Sequence, residues 1–150
     1  MAEFEIYGLD HLKSLKIGNN SFIRSMVDYF ADDYRSFRIL NCAELKSIEI
    51  GKYSFQNGRL FELKNLPKLY SLVIGEDGSS SYNFYYSSFI IEDNNAWYWW
   101  WIDLPNLYSI ELGDNAFQES QVIVFRSICN KLNDNRSSEF EFYHSWFWCT

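Results

Sequence analysis

The segment Leu12-Lys13-Ser14-Leu15-Lys16-Ile17-Gly18 recurs without gaps at three later places. These are Leu45-Lys46-Ser47-Ile48-Glu49-Ile50-Gly51, Leu69-Tyr70-Ser71-Leu72-Val73-Ile74-Gly75 and Leu107-Tyr108-Ser109-Ile110-Glu111-Leu112-Gly113. The shared pattern is LxSΦxΦG, where Φ is Leu or Ile. The last two apolar positions alternate with a variable residue, as a strand with one buried face requires. Each copy therefore lays one short strand, the leading leucine enters from the preceding turn, and the glycine permits a positive φ that turns the chain away.

The similarity extends beyond the seven residues. Eight residues before each leading leucine stands an aromatic, Phe4, Phe37, Phe61 or Trp99, and three before it stands Leu9, Cys42, Leu66 or Leu104. Phe22, Phe55 and Phe117 follow the glycine by four residues, whereas the third copy has Ser79 there and supplies Phe84 after an insertion. Upstream, Phe4-x-Ile6, Phe37-x-Ile39, Phe61-x-Leu63 and Phe89-x-Ile91 alternate in the same way, which predicts a second short strand on an opposite wall. The glycines are spaced by 33, 24 and 38 residues, so the unit of 24 is bare and the others carry insertions.

Read from Leu12, the first copy is LxxLxLxxNxF, through Leu15, Ile17, Asn20 and Phe22, and the fourth fits through Leu107, Ile110, Leu112, Asn115 and Phe117. This resembles the leucine-rich repeat, LxxLxLxxN/CxL in units of about 20–29 residues. Tyr53 and Asp77 stand where the second and third copies would carry the asparagine. The GxxSF or GxxAF ending is similar to the irregular leucine-rich repeats of bacterial surface antigens and their protist relatives. The expected fold is thus mainly β, a short leucine-rich-repeat-like solenoid with one or two short strands per repeat and irregular insertions. It spans residues 1–125 in four repeats (4–36, 37–60, 61–88, 89–122). A unit this short cannot close a core alone, so stacking of at least three is what stabilises it.

Insertions fall outside the strands. Ile23 to Ser36 carries Met26, Tyr29, Phe30 and Tyr34, spaced for a short amphipathic helix, and Gly75 to Ser88, with Asp77-Gly78-Ser79-Ser80-Ser81, reads as a flexible loop. Val122-x-Val124 starts a fifth unit whose leucine positions hold Ser127 and Asn130, so residues 126–150 read as a degenerate repeat or C-terminal cap.

Composition agrees with a packed domain and narrows the partner. The 150 residues are 47% hydrophobic and 20% aromatic with two prolines, which excludes a disordered tail, collagen and a coiled coil. A net charge of −7 opposes a phosphate-driven grip on nucleic acid. Cys42, Cys129 and Cys149 are odd in number and not spaced for zinc, which fits reduced thiols. The N-terminal residues form no signal peptide and no apolar run spans a bilayer, so the chain as it stands is expected in the cytoplasm. A surface or secreted setting, in which the sequons at Asn19 and Asn135 would matter, is expected if it is a piece of a longer protein. Phe4 opens a repeat with no room for a polar cap before it, which predicts self-association through uncapped ends or a longer array.

The residues between the apolar ones of each strand point outward and stack into columns. One column is Lys13, Lys46, Tyr70 and Tyr108, the next Ser14, Ser47, Ser71 and Ser109, and the third Lys16, Glu49, Val73 and Glu111. Past the glycine come Asn19, Lys52, Glu76 and Asp114. The wall is expected to run from basic in the first two copies to acidic and tyrosine-bearing in the last two. Tyrosine is enriched at interface hot spots, so Tyr70 and Tyr108 are the expected anchors of a protein-binding surface; the plain alternative is a solvated face.

In Trp97-Tyr98-Trp99-Trp100-Trp101, Trp99 and Trp101 take inward phases, leaving Trp97 and Trp100 as a candidate exposed patch for sugar rings or a membrane surface; the favoured reading is a purely structural one, a convex strand whose outward tryptophan is covered by a loop or a neighbouring chain. Catalytic signatures are missing. His11 and His144 lack partners at catalytic spacing, phosphate-cradling glycine loops and a nucleophile elbow are absent, and Asp32-Asp33 and Glu92-Asp93 read as solvated loop charge. The sequence points to a non-catalytic scaffold that binds a protein, with no cofactor and no metal. A surface adhesin or glycan-binding module, as the surface-antigen resemblance implies, is the second reading.

Overall fold

The computed structural model describes residues 3–22, 36–56, 58–76, 80–84, 87–92, 107, 109–114, 116, 122–125 and 146–149. The described residues form ten strands and no helix. In chain order these are β1 (Glu3–Tyr7), β2 (Ser14–Ile17), β3 (Ser36–Leu40), β4 (Ser47–Ile50), β5 (Leu60–Lys64), β6 (Ser71–Ile74), β7 (Ser88–Glu92), β8 (Ser109–Leu112), β9 (Val122–Phe125) and β10 (Trp146–Cys149).

Through β8 the chain alternates between two sheets. One has six strands in the order β1-β3-β5-β7-β9-β10, the other four in the order β2-β4-β6-β8, and every pairing is parallel. The segments that align in the sequence are the paired strands themselves. Ser14 faces Ser47, Ser47 faces Ser71, and Ser71 faces Ser109. Phe4 faces Phe37, Phe37 faces Phe61, and Phe61 faces Phe89.

The core lies between the sheets, formed by the alternate residues that point inward. Phe37, Ile39, Phe61, Leu63, Phe89 and Ile91 from the six-stranded sheet meet Ile48, Ile50, Leu72 and Ile74 from the four-stranded one, all but Ile48 fully buried and Ile48 only 1% exposed. Leu45, Leu69 and Leu107 are buried as well. The apolar residue three positions earlier has a clear reason: the amides of Leu12, Leu45 and Leu69 donate to the carbonyls of Leu9, Cys42 and Leu66, closing a four-residue turn before each strand.

Parallel strands in register lie about 4.8 Å apart, so like residues stack. Phe4, Phe37 and Phe61 lie 5.0 Å apart with planes 2° and 3° from parallel, and Phe89 continues the file at 5.1 Å. A second file, Phe22, Phe55 and Phe84, stacks at 4.5 and 5.1 Å. The two files meet edge to face, as Phe37 does on Phe55 at 5.0 Å and 74°. The fourth aromatic of the first file is therefore Phe89, and Trp99 lies outside the described residues.

Several expectations are corrected. The glycine after the strand takes a positive φ only at Gly75 (φ 87°); at Gly51 and Gly113 it serves another purpose, and a Cβ at Gly18 would meet nothing within 4 Å. A Cβ at Gly51 would lie 2.6 Å from the Asn19 amide nitrogen, and one at Gly113 would lie 2.5 Å from that of Glu76, so glycine is needed for close approach of successive turns. The left-handed positions are instead Asn20 and Phe22, Tyr53 and Phe55, Tyr82 and Phe84 at one corner, and Gly8, Asn41 and Asn65 at another. The Gly75 to Ser88 stretch is not simply a flexible loop, because Ser81, Asn83, Phe84 and Ser87 in it are fully buried. In the fifth unit, Ile123 and Phe125 pair with Phe89 and Ile91, so they, and not Val122 and Val124, are in step with the inward positions. β10 pairs with β9, so the tail adds a strand. The helix expected within residues 23–35 lies outside the described residues.

The asparagine corner gives a direct test. Asn65 Nδ2 donates to Asn41 Oδ1 at 2.7 Å, and the Asn41 amide donates to the Lys64 carbonyl at 3.0 Å. A left-handed backbone costs most L-residues about 1–2 kcal/mol, and asparagine tolerates it. Asn41→Ala should lower unfolding stability by about 1–3 kcal/mol in urea titration, adding backbone strain to the lost side-chain bond. Asn41→Gly should recover the strain part alone, and equal losses for the two variants would exclude it.

Candidate functional site

The outer face of the four-stranded sheet carries the columns expected from sequence. Lys13, Lys46 and Tyr70 immediately precede β2, β4 and β6, joined by backbone bonds from the Lys46 amide to the Lys13 carbonyl (2.9 Å) and from the Tyr70 amide to the Lys46 carbonyl (3.0 Å). Ser14, Ser47, Ser71 and Ser109 open the strands. Lys16, Glu49, Val73 and Glu111 are their third residues, so one face of the sheet holds these eight, and Lys13, Lys46 and Tyr70 flank it at the strand starts. Tyr108, Trp97 and Trp100 lie outside the described residues.

Exposure is uneven along this wall. Lys13, Lys16, Lys46, Glu49, Tyr70 and Glu111 are exposed, while Ser47, Ser71, Val73 and Ser109 are half-buried. Tyr70 stands out at 44% exposure beside fully buried Leu69, whose amide is held by the Leu66 carbonyl. Its backbone is thus fixed by the turn while its side chain stays exposed.

Within the expected run from basic to acidic, some of the charges pair inside the chain. Lys16 Nζ sits 2.7 Å from Glu49 Oε1, so the third column neutralises itself between its first two strands. Lys52 Nζ meets Glu76 at 2.7 Å one corner away, which raises the lysine pKa through that hydrogen bond. Lys68 binds Glu44, and the bond lowers the Glu44 carboxyl, with Lys46 and Lys13 adding a smaller pull from nearby. Among the described residues, Lys13 and Lys46 themselves have no carboxylate in ion-pair contact. Among the described residues the wall charges in no ion pair are thus Glu111 and a strip of two lysines ending in an exposed tyrosine.

The corner past the glycines is structural. Asn19 Oδ1 accepts from the Lys52 amide at 3.0 Å, and the Ser54 hydroxyl and Asn83 Nδ2 donate to the carbonyls of Gly18 and Gly51 at 2.9 and 2.8 Å. Asn19 thus holds the turn after its own, and Ser54 and Asn83 the turn before theirs. Tyr53 and Tyr82 stack at this corner with ring centroids 6.3 Å apart.

Sequence reading missed a cluster on the opposite sheet. Arg38 Nε donates to Glu62 Oε2 at 2.8 Å, its Nη1 lies 3.1 Å from Glu5 Oε2, and Glu3 is at 3.8 Å. The Glu62 hydrogen bond leads the forces that raise the guanidinium pKa. The signal was available, because Glu5, Arg38 and Glu62 are the middle residues of the aligned Phe-x-Ile elements.

No model of a known family, no curated protein and no solved structure matches the chain. Among the described residues no helix is long and apolar enough to cross a membrane.

Two measurements test these assignments. Lys16 and Glu49 are both well exposed, so a double-mutant cycle to alanine should return a coupling of about 0.2–1 kcal/mol that shrinks as salt rises. Cys42 is fully buried and not in a disulfide, and burial pushes its thiol pKa up. In a variant lacking Cys129 and Cys149, a thiol reagent should label Cys42 only as fast as the protein opens, and fast labelling under native conditions would contradict that burial.

Proposed function

We propose that the two parallel sheets are the walls of a short leucine-rich-repeat-like solenoid, and that the chain is a non-catalytic scaffold binding another protein through the outer face of the four-stranded sheet. The observation that carries this reading is the strip Lys13, Lys46 and Tyr70: two lysines without a carboxylate partner, ending in an exposed aromatic ring on a turn fixed by a buried leucine. Among the described residues Lys16 and Glu49 pair with each other and Glu111 accepts only from the Ser109 hydroxyl, so the strip is where a partner's carboxylates gain most. Its chemistry selects a surface with carboxylates for the lysines and an apolar pocket or flat face for the tyrosine. The sequence supports the same wall, since Tyr108 continues the Tyr70 column and the aligned pattern resembles a repeat that serves as a binding scaffold.

The test begins with a partner isolated by photo-crosslinking from a benzophenone residue at Ser47 and purified for titration. Tyr70→Ala combined with Tyr108→Ala should weaken its affinity by about tenfold or more, the scale of an aromatic hot spot. Lys13→Glu with Lys46→Glu should weaken it in a salt-dependent way, and Lys64→Ala on the opposite sheet should leave it unchanged. Unchanged affinity in the double tyrosine variant would end this reading.

A further inference from the structure

The outer face of the four-stranded sheet carries opposite charges at its two margins. β2 and β8 are the outermost strands in the order β2-β4-β6-β8. Lys16 stands on β2 and Glu111 on β8, each the third residue of its strand and each exposed. Lys46 and Tyr70, both exposed, flank the two middle strands at their starts, and half-buried Ser47 and Ser71 come next. Among the described residues Glu111 accepts only from the Ser109 hydroxyl, at 3.2 Å, and Lys46 has no carboxylate in ion-pair contact.

This order of residues is its own complement. A two-fold axis running along the strands, over the gap between β4 and β6, sets the face against itself with β2 opposite β8 and β4 opposite β6. Positions equal in register then face each other. Lys16 of each copy comes opposite Glu111 of the other, Lys46 opposite Tyr70, and Ser47 opposite Ser71. Glu49 comes opposite Val73 and keeps its bond to Lys16 at 2.7 Å. Among the described residues no like charges meet. An axis across the strands would set Lys13 against Lys16, so the charges choose the axis along them. Sheets packed face to face lie about 10 Å apart, a gap that a lysine and a glutamate reaching toward each other can span.

We propose that this wall is the contact face of a two-fold symmetric dimer, with a second copy of the chain as its occupant. The proposal rests on the reading of the wall as a protein-binding face and names the partner. Two Lys16–Glu111 ion pairs at the margins set the alignment, and two Lys46 ammonium groups over Tyr70 rings make cation–π contacts between them. The face measures about 19 Å across its four strands and about 13 Å along them, well short of the roughly 800 Å² that each partner gives a standard interface. The dimer is therefore weak and reversible, and salt loosens it.

Sedimentation velocity on the full chain at low salt, over about a hundredfold range of concentration, should show monomer passing reversibly into dimer. A benzophenone residue at Ser47 should cross-link to the Ser71 strand of another copy. Glu111→Lys alone and Lys16→Glu alone should each weaken association by about tenfold or more, because like charges then face each other at both margins. An equimolar mixture of the two variants should associate as the unaltered chain does, since every facing pair is again of opposite sign, and that recovery also shows both to be folded. Tyr70→Ala, which leaves the charges alone, should weaken association as well. A chain that stays monomeric up to about 1 mM, variants that associate unchanged, or a mixture no better than its components would overturn the proposal. A monomeric chain whose cross-linked foreign partner still loses affinity on Tyr70→Ala with Tyr108→Ala would end the dimer and leave the binding role of the wall standing.

Discussion

In-register stacking of phenylalanine rings at the spacing of parallel strands is the constraint on which the rest depends. Strands about 4.8 Å apart bring identical side chains to a separation that suits aromatic faces. The chain uses this twice, in the file Phe4, Phe37, Phe61, Phe89 and in the file Phe22, Phe55, Phe84, and sets the files edge to face. A ring in the first file thus has faces above and below and edges beside it. Leucine could fill similar volume, but it would not discriminate between strand registers as planar rings do.

This arrangement explains an otherwise costly backbone. Phe22, Phe55 and Phe84 all have φ near +50°, a region in which bulky L-residues are strained. The strain persists because the left-handed turn is what swings each ring from the corner into the file. It also explains why loop length matters so little. In the first two segments the ring follows the glycine by four residues, and in the third it follows Gly75 by nine, yet Phe84 stacks on Phe55 at 5.1 Å. The third segment reaches the same place by a different path, and Gly75 is the glycine of this set with a positive φ. Insertions are tolerated wherever the chain can still return its ring to the file.

Much of this was legible because period two is a strong signal when four segments share it. The pairing of Ser14, Ser47, Ser71 and Ser109 follows directly from the gapless alignment, since in parallel strands equal positions become neighbours. Phe84 was recoverable because an aromatic had gone missing from its expected place. The role of glycine was not legible: a positive φ and a close backbone approach leave the same residue in the sequence, and only the 2.6 Å from an imagined Gly51 Cβ to the Asn19 nitrogen separates them. Asn41 and Asn65 could have been found, each two residues past the Phe-x-Φ element, where Gly8 stands in the first copy. Of the wall, the columns were legible but their ion pairs were not, because a column of charges read as residue types gives no sign of which lysine reaches which glutamate. Ile123 and Phe125 were misread by one position because Val-Ile-Val-Phe is apolar throughout and carries no phase of its own.

A fold held by neighbours above and below distributes stability unevenly, and that bears on where binding can be accurate. Residues of β3 to β6 have partners on both sides and are buried accordingly, whereas β1 and β2 lack one side. Tyr70 belongs to the well-supported part. It follows Leu69, which is locked into the core, and its amide is bound to the Lys46 carbonyl, so little freedom remains to be lost when its ring is covered. The first edge has the opposite character: among the described residues β1 and β2 are paired on one side only, and Phe4, Ile6, Leu12 and Leu15 are half-buried. A rigid aromatic on a wall rewards a preformed surface. The same stacking rule that fixes the interior therefore leaves two surfaces of different kind among the described residues, a wall over strands paired on both sides and an edge paired on one.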